Sequence, residues 1–298
     1  MKLNNSPIDK FTYHGREFLV KRDDLLDEKL NGNKARKLAY YLENDLPEID
    51  TLISYGGTQS NMLFALSELA RLRNWRFDYY CYKPAKSALE NNDGNLVIAL
   101  KNGTNLIYVE NNNLDYYISQ LKTSNSQLLI HQGGRQVESY YGIAKLAQEI
   151  NEYCTKHDIS QLAIFIPSGT GTTAYYLQQE LPKHKVYTTN CVGSANYLLQ
   201  QWQSLDGNHN KHLPTILGNT QFRFAKPNLE LFKVINDINK VSNILFDLVY
   251  DPVAWNVLLN NLDKIDLPIM YIHCGGLTGN TTMMNRYRYL FPEYFAKI

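Results

Sequence analysis

Apolar runs of strand length alternate with amphipathic stretches of helical length along nearly the whole chain. The apolar runs predict strands at 17–22, 50–55, 77–82, 105–110, 127–132, 162–167, 185–193, 245–250 and 268–276. The amphipathic stretches predict helices between them at 34–45, 58–73, 137–154, 172–181, 194–205, 228–239 and 252–261. This β–α–β alternation predicts an α/β fold in which parallel-type sheets are flanked by helices. Such folds bind ligands at the carboxyl ends of their strands.

Composition narrows the class of protein without naming a function. The chain has 298 residues, 44% hydrophobic and 20% charged, which suits two domains or one large α/β unit. A formal net charge of +1 gives no electrostatic reason to expect nucleic acid or a membrane surface as a partner. No run approaches the ~18 apolar residues that cross a bilayer. Four scattered cysteines and the lack of an apolar leader predict a reducing, cytoplasmic location.

The segment LNGNKARKLAYYL, residues 30–42, carries two lysines at the start of a predicted helix. Lys34 and Lys37 are three residues apart, with Arg36 between them. Taken alone, the segment predicts a turn followed by a basic helix start. A reactive lysine amine is the alternative, and the other strand ends decide between the two interpretations.

Two glycine-rich junctions join a predicted strand to a predicted helix. In SYGGTQSNMLFALSELA, Gly56 and Gly57 precede Thr58 to Asn61, which is equally typical of an anion site and of a capped turn. In IFIPSGTGTTAYYL, residues 168–173 offer two glycines and four hydroxyls at a helix start. The second junction predicts a phosphate-binding loop, although it matches neither the Walker pattern nor the GxGxxG spacing.

Histidine and cysteine offer weaker candidates for chemistry. His273 and Cys274 end the last predicted strand, but neighbours in a strand point to opposite faces and cannot form a mutual dyad. His209 and His212 lie in an Asn-rich segment with no carboxylate or cysteine beside them, so no metal site is expected.

A phosphate loop, a lysine at a helix start and further glycine-rich strand ends together indicate pyridoxal 5′-phosphate as the cofactor. Its phosphate needs the loop, its aldehyde needs an amine, and its ring needs polar partners. The rival interpretation is a loop that binds a sugar phosphate, with no reactive lysine.

Four segments, in order and spacing, carry a resemblance to a known family: VKRDDLLDEKLNGNKARKLAYYL, LISYGGTQSNMLFALSELA, PSGTGTT and YIHCGG. They resemble the 1-aminocyclopropane-1-carboxylate deaminase/D-cysteine desulfhydrase family of pyridoxal-phosphate enzymes. That family has the tryptophan synthase β-like fold, also called fold type II. The resemblance runs from about residue 15 to residue 280, and the C-terminal third is divergent.

The resemblance implies a role for each matching residue. Lys34 matches the lysine that forms the internal Schiff base, and Lys37 a second lysine near the phosphate. Asn61 matches the partner of the phenolic oxygen, and Ser60 a serine that assists with the substrate carboxylate or proton transfer. The phosphate loop is matched by Gly169, Thr170, Gly171, Thr172 and Thr173. Arg36 is left as an ordinary surface residue.

Three positions depart from the family pattern. In DLVYDP, Tyr250 keeps the family tyrosine beside the cofactor, but Asp251 stands where relatives have Glu, Ser or Thr. Cys274 replaces the Leu or Thr of relatives, and Phe224 replaces a second tyrosine. Asp251 either reaches the pyridine nitrogen or caps the helix that begins at Pro252, and the sequence leaves both open. It also leaves open whether Asp251 or Cys274 contacts that nitrogen.

The resemblance also implies an organisation and an activity. Residues 1–45 plus 141–298 would form a larger cofactor-binding domain and residues 46–140 a smaller α/β domain, with the cofactor between them. The expected function is a lyase or deaminase of a small amino acid, with β-elimination of the D-cysteine desulfhydrase type favoured. Ring-opening deamination of 1-aminocyclopropane-1-carboxylate and a divergent cofactor-binding protein with little catalysis are the alternatives. Relatives are often homodimers, so a homodimer is expected.

Overall fold

Two sheets organise the chain in the computed structural model, which describes residues 3–89, 94–110, 113–206, 212–218 and 222–296. The strands are β1 Ile8–Tyr13, β2 Arg16–Lys21, β3 Thr51–Tyr55, β4 Arg76–Cys81, β5 Asn105–Tyr108, β6 Gln127–Leu129, β7 Ala163–Ser168, β8 Lys185–Asn190, β9 Thr215–Ile216 and β10 Ile269–Ile272. The larger sheet has the order β1-β2-β10-β7-β8-β9, and the smaller one β5-β4-β3-β6.

Helices connect the strands and cover the sheets. They are α1 Gly32–Glu43, α2 Asn61–Arg73, α3 Lys86–Leu89, α4 Asn95–Lys101, α5 Leu114–Ser119, α6 Ser139–Lys156, α7 Thr172–Glu180, α8 Ala195–Asp206, α9 Leu229–Ser242, α10 Asp251–Leu259, α11 Asn280–Leu290 and α12 Pro292–Phe295. Short 3₁₀ turns lie at Asp23–Leu25, Gln132–Gly134, Leu262–Lys264 and Leu277–Gly279. No helix in the described part of the chain is both long and apolar enough to cross a bilayer.

Strand pairing is parallel except at one edge, where β1 and β2 form an antiparallel hairpin. The two hairpin turn residues, His14 and Gly15, both have positive φ, as a two-residue type I′ turn requires. The predicted α/β class with parallel sheets is therefore confirmed, and the hairpin strand β1 is an addition that the sequence pattern did not predict.

Both faces of the larger sheet are buried, as a covered parallel sheet requires. Along β7 the side chains alternate between two cores: Phe165 packs with the core under α9 and α10, whereas Ile164 and Ile166 pack with the core under α6 and α7. On the first face Trp255 stacks on Tyr271 with ring centroids 4.3 Å apart. Both faces being apolar explains why these strands are continuous hydrophobic runs in the sequence.

The smaller sheet is built from residues 51–129, and the larger sheet takes strands from both sides of that segment. The division of the chain into two domains at residues 45 and 140 stays a prediction. α1 follows strand β2 of the larger sheet, and α2 follows strand β3 of the smaller sheet. The first turns of both helices line the same cavity.

The predicted strand at 245–250 is wrong, because this segment forms a turn that leads into α10. Asp247 Oδ1 accepts the backbone N–H groups of Val249 at 2.5 Å and Tyr250 at 2.6 Å. An aspartate that bonds its own following backbone competes with a strand ladder for those donors. Apolar composition predicted the strand, and local hydrogen bonding overrode it.

Candidate active site

A cavity of about 320 Å³ lies where the first turns of α1, α2 and α7 meet the end of β10. The predicted site residues that line it are Lys34, Lys37, Ser60, Asn61, Gly169, Thr170, Gly171, Thr172, Thr173, Tyr250 and Cys274. Asp251 is the predicted site residue that does not line it. Segments separated by up to 240 positions in sequence therefore converge on one cavity.

Lys34 enters the cavity because the start of α1 is docked on the turn after β10. Gly32 has φ +64° and its α-carbon lies so close to the Cys274 carbonyl that any Cβ would collide with it. The backbone N–H of Asn33 donates to the same carbonyl at 3.2 Å. This junction accepts only glycine at position 32, and it fixes the direction in which the Lys34 side chain leaves the helix.

The Lys34 amine has polar and aromatic neighbours, and no carboxylate pairs with it among the described residues. Its Nζ donates to Asn33 Oδ1 at 2.7 Å and lies 5.6 Å from the centroid of the Tyr250 ring. Burial lowers the pKa of Lys34, and electrostatic interactions with Cys274, Asp247 and Asp251 oppose that shift only in part. A lowered pKa is what a lysine needs in order to act as a nucleophile and base near neutral pH.

Lys37 lies one turn further along the same face of α1. Its Nζ donates to the carbonyl oxygen of Gly133 at 2.8 Å, and its side chain is buried. Burial, with the nearby charge of Lys34 adding to it, lowers the pKa of Lys37 to about 7. An anion bound beside it would restore the charged form.

Arg36, expected at the surface, is fully buried, and that expectation is wrong. Its guanidinium makes two hydrogen bonds to Asp23, at 2.8 and 3.1 Å, and two to Glu149, at 2.7 and 2.8 Å. These carboxylates raise the pKa of Arg36. A basic residue between two lysines gave no sequence signal for burial, because both acidic partners are distant along the chain.

The first turn of α2 supplies an oriented amide. Ser60 is the N-cap, and its Oγ accepts the Met62 N–H at 3.1 Å. Asn61 Oδ1 accepts from Asn95 Nδ2 at 2.7 Å, which leaves the Nδ2 of Asn61 as the free donor side, packed against Gly276. Asn61 is therefore set up to donate to an oxygen, as the resemblance implies for a phenolic oxygen.

The loop between β7 and α7 has the chemistry of a phosphate site. Gly171, at φ +72°, precedes the helix, and Trp202 Nε1 donates to its carbonyl at 3.0 Å and fixes the loop. Thr170 Oγ1 and Thr172 Oγ1 lie 3.0 Å apart. Thr173 Oγ1 is buried and has no hydrogen-bond partner among the described residues. An unsatisfied hydroxyl beside open helix N–H groups fits a phosphate.

Asp251 occupies neither of the two places predicted for it. Its side chain is fully buried, and Oδ1 accepts from the Tyr271 hydroxyl at 2.5 Å while Oδ2 accepts from the Asp247 N–H at 2.9 Å. The Asp247 N–H lies before α10, so this bond is not a helix cap. Aspartate is one methylene shorter than the glutamate of relatives, and these two bonds hold it behind the cavity wall.

Asp247, four residues earlier, is the carboxylate that lines the cavity, and the sequence reasoning missed it. Its Oδ1 is held by the turn described above. Burial raises the pKa of Asp247 to about 6, although its backbone bonds and Lys34 pull it down. The detectable sequence signal was an aspartate two and three residues before Val249 and Tyr250, a turn-forming spacing.

Cys274 lines the cavity, with its thiol 3.6 Å from the Ile272 carbonyl oxygen. Burial raises the pKa of this thiol, so it is neutral and is not a nucleophile. His273 is buried behind it: Nε2 lies 2.8 Å from the Leu245 carbonyl oxygen, and Nδ1 accepts the Gly275 N–H at 3.1 Å. His273 therefore braces the turn, and the two side chains have separate partners.

The rim of the cavity has residues that the motifs did not mark. Phe224, where the family has a second tyrosine, is 43% exposed and its ring centroid lies 5.1 Å from that of Tyr250. Arg286 of α11 also lines the rim. Within the described ranges no three His, Cys, Asp or Glu side chains come together as a metal site, and His209 lies outside those ranges.

Comparisons with known proteins bear on the resemblance and on the fold. No protein-family model matches the chain. A D-cysteine desulfhydrase of Serratia proteamaculans is 25% identical over 307 residues, covering 91% of both chains. Its counterpart in Yersinia enterocolitica is 25% identical over 303 residues, covering 92% of both chains.

Solved structures share the fold. The structure of an ACC deaminase homologue superposes with a TM-score of 0.80 at 20% identity, covering 96% of this chain and 94% of the other. A hydrogen sulfide-producing enzyme from Fusobacterium nucleatum gives a TM-score of 0.63 at 14% identity, covering 93% and 97%. The predicted fold type II is confirmed, and so is the resemblance, since the chain is similar over 91% of its length to a D-cysteine desulfhydrase.

Proposed function

We propose that this chain is a pyridoxal-phosphate-dependent lyase that removes a β-substituent from a small amino acid, with D-cysteine as the reference substrate. The reaction takes D-cysteine and water to pyruvate, ammonium and sulfide. One observation carries the proposal: a half-buried lysine amine, with no carboxylate paired to it among the described residues, and a hydroxyl-rich phosphate loop line the same cavity. The four cysteines are free and buried, which supports the expected reducing compartment.

The residues present fit the cofactor group by group. The N–H groups at the start of α7, the Thr173 hydroxyl and Lys37 would hold its phosphate, and Asn61 Nδ2 would donate to its phenolic oxygen. Lys34 would hold its aldehyde carbon. Asp247 and Cys274 are among the polar residues of the cavity wall that the ring nitrogen would face. When bound, the cofactor supplies a carbonyl that captures an amine and a conjugated ring that accepts electrons from a breaking Cα–H bond.

This chain's own residues then divide the work. Lys34, freed by the incoming amine, takes the α-proton, and its lowered pKa keeps a fraction of it neutral. Ser60 and the first N–H groups of α2 would bind the substrate carboxylate, since a helix N-terminus favours anions. The Tyr250 ring packs against the Lys34 amine and limits its positions.

Phe224 is the observation that favours β-elimination over opening of a cyclopropane ring. Its ring packs on Tyr250 at the place where the family pattern has a second tyrosine, and it brings no hydroxyl to the cavity. A departing thiol takes up its own proton, whereas a ring carbon that becomes a methyl or methylene needs a donor. The ring-opening deaminase is kept as the second candidate because Tyr250 is retained in the cavity wall.

The deciding experiment is a substrate panel with the purified holoenzyme. Pyruvate and sulfide are measured from D-cysteine, L-cysteine and β-chloroalanine, and 2-oxobutyrate from 1-aminocyclopropane-1-carboxylate. Release of pyruvate supports the proposal, and 2-oxobutyrate alone would move the chain to the second candidate. Bound cofactor with no product from any substrate would instead indicate a binding protein with little catalysis.

Replacement of Lys34 tests the centre of the proposal. We expect Lys34→Ala to lower kcat by at least about 10³-fold, because both the nucleophile and the base are lost. Borohydride reduction followed by peptide mapping should leave a pyridoxyl group on Lys34 in the unaltered protein. Labelling at another lysine, or none, would contradict the assignment; Lys145→Ala, outside the cavity, is the matched control.

A further inference from the structure

One face of α11 forms a wall of the cavity from its deep end to its rim. Gly279, Thr282, Met283 and Arg286 all line the cavity, and their spacing of three, one and three places them on one helical face. At the deep end, a Cβ on Gly279 would lie 3.8 Å from Asn61 Oδ1. Seven residues of helix then span about 10 Å before Arg286. This wall is longer than a cysteine side chain.

Arg286 is fixed at the rim by neutral partners. Its Nη1 donates to the Ala225 carbonyl oxygen at 2.7 Å and lies 3.6 Å from Met283 Sδ. No carboxylate among the described residues pairs with it. A guanidinium has five N–H donors, so most of its hydrogen-bonding capacity is unused by the protein. The Met283 contact shows the side chain leaning back toward the helix start, over the cavity.

The charges of the cavity leave Arg286 without a countercharge. Lys37 and the start of α7 account for a cofactor phosphate, and Lys34 accounts for its aldehyde. Asp247, the carboxylate in the wall, is held by backbone N–H groups of its own turn. The substrate's α-carboxylate is accounted for at Ser60, near the deep end. Arg286 is therefore a cation placed for a second negative charge on the substrate.

Resting on the lyase function above, we propose that the enzyme accepts β-substituted alanines whose leaving group ends in a carboxylate, and that Arg286 binds that carboxylate. Arginine pairs with carboxylates through two parallel hydrogen bonds, which gives direction as well as attraction. Phe224, which is next to Ala225 in sequence, offers an apolar surface for the carbon chain between the reacting carbon and the acid group.

The reaction with such a substrate balances without an added reagent. For an S-(2-carboxyethyl)cysteine, the Cα–H bond breaks with its proton going to Lys34, and the Cβ–S bond breaks with both electrons going to sulfur. The sulfur leaves as 3-mercaptopropionate after it takes up a proton. Water then replaces the nitrogen, so that the products are the thiol, pyruvate and ammonium.

A pair of nearly isosteric substrates tests the proposal. S-(2-carboxyethyl)cysteine and its amide, S-(2-carbamoylethyl)cysteine, differ in the terminal group, and both are assayed as the enantiomer that the enzyme turns over. We expect kcat/KM to favour the acid about tenfold, equal to about 1.4 kcal/mol. Arg286→Gln should abolish that preference, because it raises KM for the acid and leaves KM for the amide unchanged. Arg288→Gln, also exposed on α11 but not lining the cavity, is the control and should keep the preference.

The outcomes separate this proposal from the function on which it rests. Equal turnover of acid and amide by the unaltered enzyme would overturn the role of Arg286 and leave the lyase intact. An equal loss for both substrates in Arg286→Gln would also overturn it, since that pattern indicates binding of the common α-carboxylate. If the enzyme turned over neither of these substrates and did not turn over cysteine, the lyase function itself would have failed.

Discussion

Lys34 and Arg36 lie two residues apart on α1 and face opposite environments. Both side chains are cationic, both are at helix positions near the N-terminus, and both are removed from bulk water to a large extent. Arg36 meets two carboxylates, and its pKa is raised. Lys34 meets an amide and an aromatic ring, and its pKa is lowered. One turn of α1 thus carries an ion-paired arginine that stays charged and a lysine amine that can lose its proton.

The Arg36 side is a closed network of buried charges. Glu149 also pairs with Lys21 at 2.6 Å, and Lys21 donates to the Ser6 carbonyl oxygen at 2.6 Å. The network joins the N-terminal arm, α1 and α6. A buried charge with its partner present can be tolerated, whereas one left alone is costly.

The difference teaches how one helix can serve stability and chemistry together. Carboxylates that pair with a buried cation keep it charged, and the resulting ion pairs hold the helix in place. An unpaired buried amine loses affinity for its proton, and it gains reactivity by the same physics. Stability and reactivity are thereby assigned to opposite faces of α1.

The largest effect on folding should come from breaking the buried ion pairs of Arg36. We expect Arg36→Gln to lower the free energy of unfolding by about 3–5 kcal/mol, because Asp23 and Glu149 would lose their shared cation in a buried place. Lys34→Gln should leave it nearly unchanged, since no carboxylate among the described residues forms an ion pair with Lys34. Urea unfolding of the two variants without cofactor is the measurement, and similar losses in both would refute the contrast between the two faces.

A smaller effect, visible in ligand binding, is expected from Lys37. Because its pKa is about 7, Lys37 is charged below pH 7 and neutral above it in the free protein. At higher pH, Lys37 must take up a proton from the solvent when an anion binds beside it, so affinity should fall above pH 7, by up to roughly tenfold per pH unit. Pyridoxine 5′-phosphate, which has no aldehyde, reports this step without involving the Lys34 chemistry.

The variant Lys37→Gln should bind that ligand more weakly and lose most of the fall in affinity above pH 7. Lys37→Arg should bind it with an affinity that stays level over the same range, because arginine keeps its charge. Titrations from pH 6.5 to 8.5 by calorimetry would check this, and an unchanged slope in Lys37→Gln would assign the titration to another group.

The smallest effect concerns hydroxyls, and it extends the contrast of paired and unpaired groups. Thr173→Val removes a buried hydroxyl that has no partner in the part of the chain that the structure describes, so stability without ligand should stay the same or rise by up to about 1 kcal/mol. Thr188→Val removes one that donates to the Ile166 carbonyl oxygen at 2.7 Å, so stability should fall by about 1–3 kcal/mol. Phosphate affinity should fall in Thr173→Val alone.

Sequence reasoning found those parts of the site that sit on continuous motifs. Lys34 lies beside Gly32 at the start of α1, Asn61 follows the two glycines after β3, and residues 169–173 are the loop after β7. All of them line the cavity. The fold class followed from alternating runs, because both faces of the larger sheet are apolar. Local pattern and tertiary position agree in these segments.

The remainder depended on contacts between distant segments. Arg36 looks exposed in sequence, and its burial becomes tolerable through Asp23 and through Glu149, which is 113 positions away. Asp251 was placed by analogy with a longer side chain, whereas its bonds to Tyr271 and the Asp247 backbone hold it outside the cavity. Arg286 lies outside every motif, and its relation to the cavity follows from the path of α11.

The position of β10 has a consequence for how the enzyme is made. This strand comes late in the chain, yet it lies between β2 and β7 in the middle of the larger sheet. The hairpin of β1 and β2 therefore cannot pair with β10 until more than two hundred further residues have been synthesised. The close contact between Gly32 and the Cys274 carbonyl likewise cannot form until then. The surroundings of Lys34 are thus completed only after β10 has been synthesised.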